Sequence, residues 1–109
     1  MRTEKYWGWY EILSEEPHLI VKKVFLNPGS QSPLQYETHV TKYWTLIEGS
    51  GSVCLGKPDK STWQTIAGST WKVHDKMMHQ ISSADHEGLL YIEIICGNIT
   101  DNNTVVHEV

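Results

Sequence analysis

The sequence contains no apolar run near the roughly 20 residues that a membrane helix needs. Its opening stretch, MRTEKYWGWYE, has no apolar segment of the kind a signal peptide carries. Basic residues are few and scattered: nine Lys and Arg spread from Arg2 to Lys76 without a run, within a formal net charge of −4. A chain without a basic patch is not expected to take nucleic acid or an anionic membrane as its main partner. Cysteine is limited to Cys54 and Cys96, with no metal-type spacing, which predicts a reduced, mostly buried pair rather than a disulfide or a ligand set. There is no linker rich in Pro, Ser or Gly, no internal repeat, no phosphate-binding glycine loop and no window with a convincing helical stripe. These absences predict one cytoplasmic domain over residues 1–109, without a second catalytic domain, whose function lies inside or at the mouth of a β-structure. The sequons at Asn98 and Asn102 read as a polar turn in a chain that is not secreted.

What fills the chain is short segments rich in β-branched and aromatic residues, separated by turn residues. WGWYEIL, LIVKKVFLN, KYWTLIEG, SVCLG, STWQTI, STWKVH, HQISS, LLYIEIICG and TVVHEV follow one another at a spacing that predicts an all-β sandwich or barrel. In LLYIEIICG, alternation places Leu90, Ile92, Ile94 and Cys96 on the core side and Tyr91 and Glu93 on the other. Five tryptophans supply packing, each burying on the order of 200 Å². An indole such as that of Trp44 serves the core or lines a sugar-sized cavity, because the flat apolar face of a pyranose stacks well on it.

The stretch LQYETHVTKYWTLIEGSG, Leu34 to Gly51, is chemically unusual. It reads as a strand, a turn and a second strand, with Gln35, Glu37 and His39 at every second position and so on one face. Three polar groups in a row either line a site or form the wet outer face of a hairpin. Lys42 stands where a metal site would want another donor, and a charged ammonium has no lone pair to give.

The stretch NPGSQSPLQYETHVTKYWTLIEGSG resembles the first cupin motif, G-x5-H-x-H-x3,4-E-x6-G, in the form found in the cupin domain of type II mannose-6-phosphate isomerases, where Gln replaces the first His. Gly29, Gln35, Glu37, Lys42 and Gly49 fall at its spacing without a gap. GSTWKVHDKMMHQISS is similar to the second motif, with Gly68 and His79 in register. YWGWYEIL, VKKVFLNPG and the closing YIEIICGNITDNNTVVHEV extend the likeness over most of the chain. The resemblance implies a cupin double-stranded β-helix, a jelly-roll barrel. In two-domain relatives this domain follows a sugar-nucleotide transferase.

The resemblance also implies a ligand set for a divalent metal such as zinc or manganese: Gln35, Glu37 in place of a His, and His79, with Lys42 standing in place of the ligating Glu. His39 is either a rescue ligand or a solvated loop residue. A charged lysine at a ligand position both deletes a donor and repels the ion, so the metal is expected to be absent or weak and a Glu37–Lys42 ion pair to fill the cavity. Further departures are His74, Lys76 and Ser83 in the second motif. Near the end, Asn103, Thr104 and His107 replace the acidic pair and arginine of relatives; His107 is either a weaker phosphate contact or a frayed terminal residue. The family reaction interconverts an aldose and a ketose phosphate. It casts Glu37 as base and Lys42 as metal-replacing electrophile, with Gln35, Trp44, His79 and His107 contacting the sugar. The other open role is a metal-free sugar-binding or interaction module. In either role a homodimer is expected, with Tyr6 to Tyr10 contributing to the contact.

Overall fold

The computed structural model describes residues 1–56 and 62–99 and the backbone of 104–106. Eleven strands follow in order: β1 (Arg2–Lys5), β2 (Gly8–Glu16), β3 (Leu19–Leu26), β4 (Gln35–Glu37), β5 (Val40–Glu48), β6 (Ser50–Leu55), β7 (Thr62–Ile66), β8 (Thr70–Val73), β9 (His79–Ser83), β10 (Leu89–Gly97) and β11 (Thr104–Val106). Among the described residues there is no helix, and so none long and apolar enough to cross a membrane. A six-stranded sheet runs β1-β2-β3-β10-β5-β8 and a five-stranded sheet β11-β4-β9-β6-β7, with every pairing antiparallel. The all-β jelly roll expected from turn spacing and from the two motifs is the architecture found.

The apolar core lies between the sheets. Leu26, Leu46, Leu89, Val53 and Ile81 are fully buried there, with Trp44. Gly49, which closes the first motif, makes the sharp β5–β6 turn at φ 92°, and a Cβ placed on it would lie 2.1 Å from the carbonyl oxygen of Gly88. Only glycine satisfies both the left-handed backbone and that approach.

One strand was not foreseen, and two expectations need correction. Strand β1, composed of Arg2, Thr3, Glu4 and Lys5, carries no apolar alternation because it is a fully exposed edge strand that pairs with β2 alone. Its guanidinium instead lies 3.9 Å from the centre of the Trp9 ring, a cation–π contact. Strand β10 is turned over relative to its predicted orientation. Leu89, Tyr91, Glu93 and Ile95 are the buried set, while Leu90, Ile92, Ile94 and Cys96 are half-buried on the outer side. Register explains the inversion: Glu93 lies opposite Trp44 on β5 and Lys22 on β3, so the inner surface is polar at this level. Hydrophobicity alone assigned the more apolar face to the core, and the site occupies the other. The cysteines, expected to be mostly buried, are only half-buried, on strands of different sheets.

Candidate active site: an ammonium among carboxylates

Two short strands and the middle of β5 bring the first-motif residues together. Gln35 and Glu37 alternate on β4, and Gln35 lies directly opposite His79 of β9. On β5, Val40, Lys42, Trp44 and Leu46 point inward. Glu37, Lys42, His79 and Glu93 are all buried, at 7%, 5%, 2% and 8% exposure, so four ionisable groups share one water-poor volume.

The arrangement centres on the Lys42 ammonium. Nζ pairs with Glu37 Oε1, lies 3.3 Å from Glu93 Oε1, and donates to His79 Nε2 at 3.4 Å. Its three N–H bonds are thereby all directed at partners. The carboxylates are held in turn: Gln35 Nε2 donates to Glu37 Oε1 at 2.8 Å and Trp44 Nε1 to Glu93 Oε1 at 3.0 Å. His79 Nδ1 lies 3.0 Å from the carbonyl oxygen of Met77, which can only accept, so the ring proton belongs on Nδ1 and Nε2 is free to accept from Lys42. The Trp44 ring meets His79 and Tyr91 edge-on at 5.6 and 5.9 Å and closes the volume.

The electrostatics follow from this geometry. Burial works against the charge on Lys42, yet Glu93 and Glu37 outweigh it and hold the ammonium above its ordinary value. Burial would likewise raise Glu93, but Lys42, then Lys22 and the Trp44 hydrogen bond, bring it down to about 2. His79 is pushed below its ordinary value by burial first and by the Lys42 charge second. Glu37, whose Oε2 is 3.2 Å from Nε2, opposes that shift without reversing it. Tyr91 is raised well above its ordinary value, by burial and by the Glu93 charge. The result is one cation, two carboxylates and a neutral imidazole.

This donor set does not fit a divalent metal. Carboxylate oxygens from Glu37 and Glu93 and a nitrogen from His79 converge as metal donors would, but the point of convergence is occupied by Nζ. A second cation there would meet a fixed positive charge in a medium of low dielectric. Among the described residues no other group of three His, Cys, Asp or Glu side chains could hold an ion.

Of the residues singled out from sequence, the structure brings Gln35, Glu37, Lys42, Trp44 and His79 into one cavity. His39 is not among them. Strand β4 ends at Glu37, so the alternation that placed His39 on the same face stops there; the residue sits in the turn at φ 67°, exposed, with its backbone N–H donating to Asp75 Oδ1 at 2.7 Å. His107 lies outside the described residues. The departures in the second motif are accommodated locally. Lys76 takes a left-handed φ of 65° in the turn and donates its N–H to the carbonyl of Glu37, while Ser83 donates to the carbonyl of Asn27 at 2.5 Å. Glu93 was missed by sequence reasoning. The available signal was a lone acid in the middle of the most apolar strand, a residue that would be costly to bury without a partner.

The cavity has a volume of about 500 Å³ and opens between the sheets. Its inner wall is the charged cluster. Toward the opening stand Trp7, Tyr10 and Lys22, with Lys5 and Tyr6 exposed.

No curated protein matches the sequence. Among solved structures, an uncharacterized conserved protein with a double-stranded β-helix domain from Klebsiella pneumoniae superposes with a TM-score of 0.78 at 15% identity, over 90% of this chain and 82% of that one. KdgF from Halomonas sp. gives 0.77 at 13% identity, over 94% and 91%. The capsular polysaccharide assembling protein CapF from Staphylococcus aureus gives 0.82 at 13% identity, with all of this chain matched to 34% of that one. The chain thus spans about a third of CapF. At such identities these likenesses establish the double-stranded β-helix fold. The family model described as mannose-6-phosphate isomerase C-terminal matches residues 1–108, nearly the whole sequence, and the chain belongs to that cupin-type family.

Proposed function

We propose that the protein binds a hexose phosphate or a related sugar in its barrel, in an isomerase-like site whose resident cation is the Lys42 ammonium rather than a metal. The observation that carries this reading is the three-way contact of Nζ with Glu37, Glu93 and His79 at the inner end of a cavity of about 500 Å³. Membership of the mannose-6-phosphate isomerase C-terminal family supports the sugar. Aromatic rings at Trp7 and Tyr10 offer apolar faces to a pyranose, and the carboxylates and Gln35 offer partners for its hydroxyls, while Trp44 is buried in the core. In a turnover cycle, Glu37 is the base that moves a proton between adjacent carbons and Lys42 is the electrophile that steadies the enediolate.

One observation favours a second reading, a metal-free binding module without turnover. All three N–H bonds of Lys42 are already directed at protein partners, so an enediolate oxygen must displace one of them. The two readings separate in one experiment. Thermal shift in EDTA with mannose 6-phosphate, fructose 6-phosphate and GDP-mannose is expected to show stabilisation by at least one of them. NMR then follows conversion of mannose 6-phosphate to fructose 6-phosphate by wild type, Glu37→Gln and Lys42→Ala. Conversion that both variants abolish supports the isomerase; binding without conversion supports the module. No stabilisation by any of the three sugars contradicts both.

A further inference from the structure

Lys42 and Lys22 both point from the six-stranded sheet into the cavity, and their surroundings differ. Lys22 is an inward-facing residue of β3, directly opposite Glu93 of β10 and Ile12 of β2. Its ammonium lies 4.8 Å from the centre of the Tyr10 ring, and its charge helps depress Glu93. Among the described residues no carboxylate lies within ion-pair distance of its Nζ, and no side chain or carbonyl accepts a hydrogen bond from it. Lys5, on the edge strand β1, lines the same opening and likewise has no ion-pair partner among the described residues.

The cavity is therefore electrically graded. At the inner end two carboxylates face one ammonium, with His79 neutral, leaving a net charge of about −1. Toward the opening two lysines present ammonium groups with unspent N–H bonds. An anionic group is repelled from the inner end and attracted to the outer, while uncharged hydroxyls are suited to the carboxylates inside. Tyr10 holds the Lys22 ammonium by a cation–π contact that leaves its other directions open to a ligand.

From this grading we infer that the ligand is an acidic sugar bound in one orientation, ring hydroxyls inward on the Glu37–Lys42–Glu93 cluster and its phosphate or carboxylate outward on Lys22, with Lys5 as a second contact. The inference rests on the proposed sugar-binding function and assigns the charge and orientation of the ligand. It also removes a difficulty raised by the sequence, where the C-terminal arginine implied by the family resemblance is missing: acid recognition is carried from the opposite end of the chain, by β1 and β3.

The test is isothermal titration of mannose 6-phosphate, mannuronate and mannose into wild type, Lys22→Met and Lys22→Arg, at low and at high salt. Methionine keeps an unbranched apolar stem against Tyr10, and arginine keeps the charge. Wild type is expected to prefer an acidic sugar over mannose by about tenfold or more at low salt, with the preference falling at high salt. Whether the phosphate or the carboxylate gives the larger preference identifies the acid. Lys22→Met is expected to collapse the acidic-to-neutral ratio toward one, and Lys22→Arg to restore it. An unchanged ratio in Lys22→Met, or equal binding of mannose and both acidic sugars by wild type, overturns the inference while leaving sugar binding in place. Should Lys22→Met not fold, the wild-type ratio and its salt dependence decide by the same criteria. Binding of none of the three by wild type overturns the proposed function, and this inference with it.

Discussion

Replacing Lys42 with methionine is expected to destabilise the protein by about 3–5 kcal/mol in urea unfolding at neutral pH. The size of the effect comes from what is left behind. Glu37 and Glu93 are 7% and 8% exposed, and both direct a carboxylate oxygen at Nζ. With the ammonium gone, two like charges share a buried volume with a neutral imidazole, and each must be neutralised or exposed. Methionine nearly preserves the volume and leaves Trp44 and Val73 packed, so lost packing contributes little. The control is the variant in which Lys42→Met is combined with Glu37→Gln and Glu93→Gln. That protein has no buried charge at the site and is expected to recover most of the loss, because an apolar or neutral replacement of a buried ion cluster is often close to neutral in stability. A triple variant as unstable as Lys42→Met alone would mean that the methionine fits badly and that the charges are incidental.

The second large effect is on acid stability, and it originates in Glu93. Its carboxyl titrates near 2 in the folded chain, against an ordinary 4.5, so the unfolded chain takes up the proton first as pH falls. Stability contributed by this group is complete above about pH 5 and is lost as pH drops toward 2, by about 3 kcal/mol in all. His79 acts in the same direction at higher pH. Held neutral below its ordinary value of 6.5, it lets the unfolded chain protonate first, so the decline begins near pH 6.5. Lys42 governs the other limb: raised above its ordinary 10.5, it contributes stability below that value which is lost as pH rises through the higher, folded one. Urea midpoints measured from pH 7 to pH 2.5 are expected to fall steeply below pH 5 in wild type. Glu93→Gln keeps an acceptor for the Trp44 indole but removes the titrating group, and should start less stable and fall less steeply. Parallel curves for the two proteins would exclude Glu93 as the main acid-sensitive group.

Much of this architecture was legible from the chain alone, because turn residues and β-branched runs mark strands without reference to what the strands enclose. Gly49 marked a turn, which the structure shows only glycine can make, and the resemblance of the stretch from Gly29 to Gly49 to the first cupin motif implied a common site for Gln35, Glu37 and Lys42. Three features were not legible, each for a physical reason. Period-two alternation gives two faces but not which one is inside, and in β10 the interior is the face holding Glu93, whose cost of burial is met by Lys42 and Trp44 from another strand. The same alternation carried His39 into the site, whereas a left-handed turn residue ends the strand two positions earlier. Lys22 looked like one of many scattered surface lysines, since nothing local distinguishes an ammonium on the inner face of a half-open barrel from one in water. Cross-strand partners decided the first and the third, and pairing between distant strands is the information that a linear pattern carries least.

Acceptance of a lysine at a metal-ligand position has a consequence for how the site is organised. A metal can take ligands with open positions for substrate oxygens, whereas an ammonium offers only three N–H bonds, and here all are directed at protein atoms. Under the proposed reading, Lys42 fixes the carboxylates and sets the charge of the inner cavity, and ligand discrimination passes to groups with spare capacity: Gln35, the aromatic faces and Lys22.

The central claim, that the Lys42 ammonium fills the place of a metal, is tested most directly by elemental analysis of protein purified without affinity tag or chelator, paired with its melting temperature with and without EDTA. The account predicts far less than one divalent ion per chain and the same melting temperature in both conditions. One tightly bound zinc or manganese ion per chain, with a melting temperature that falls when EDTA removes it, would contradict it.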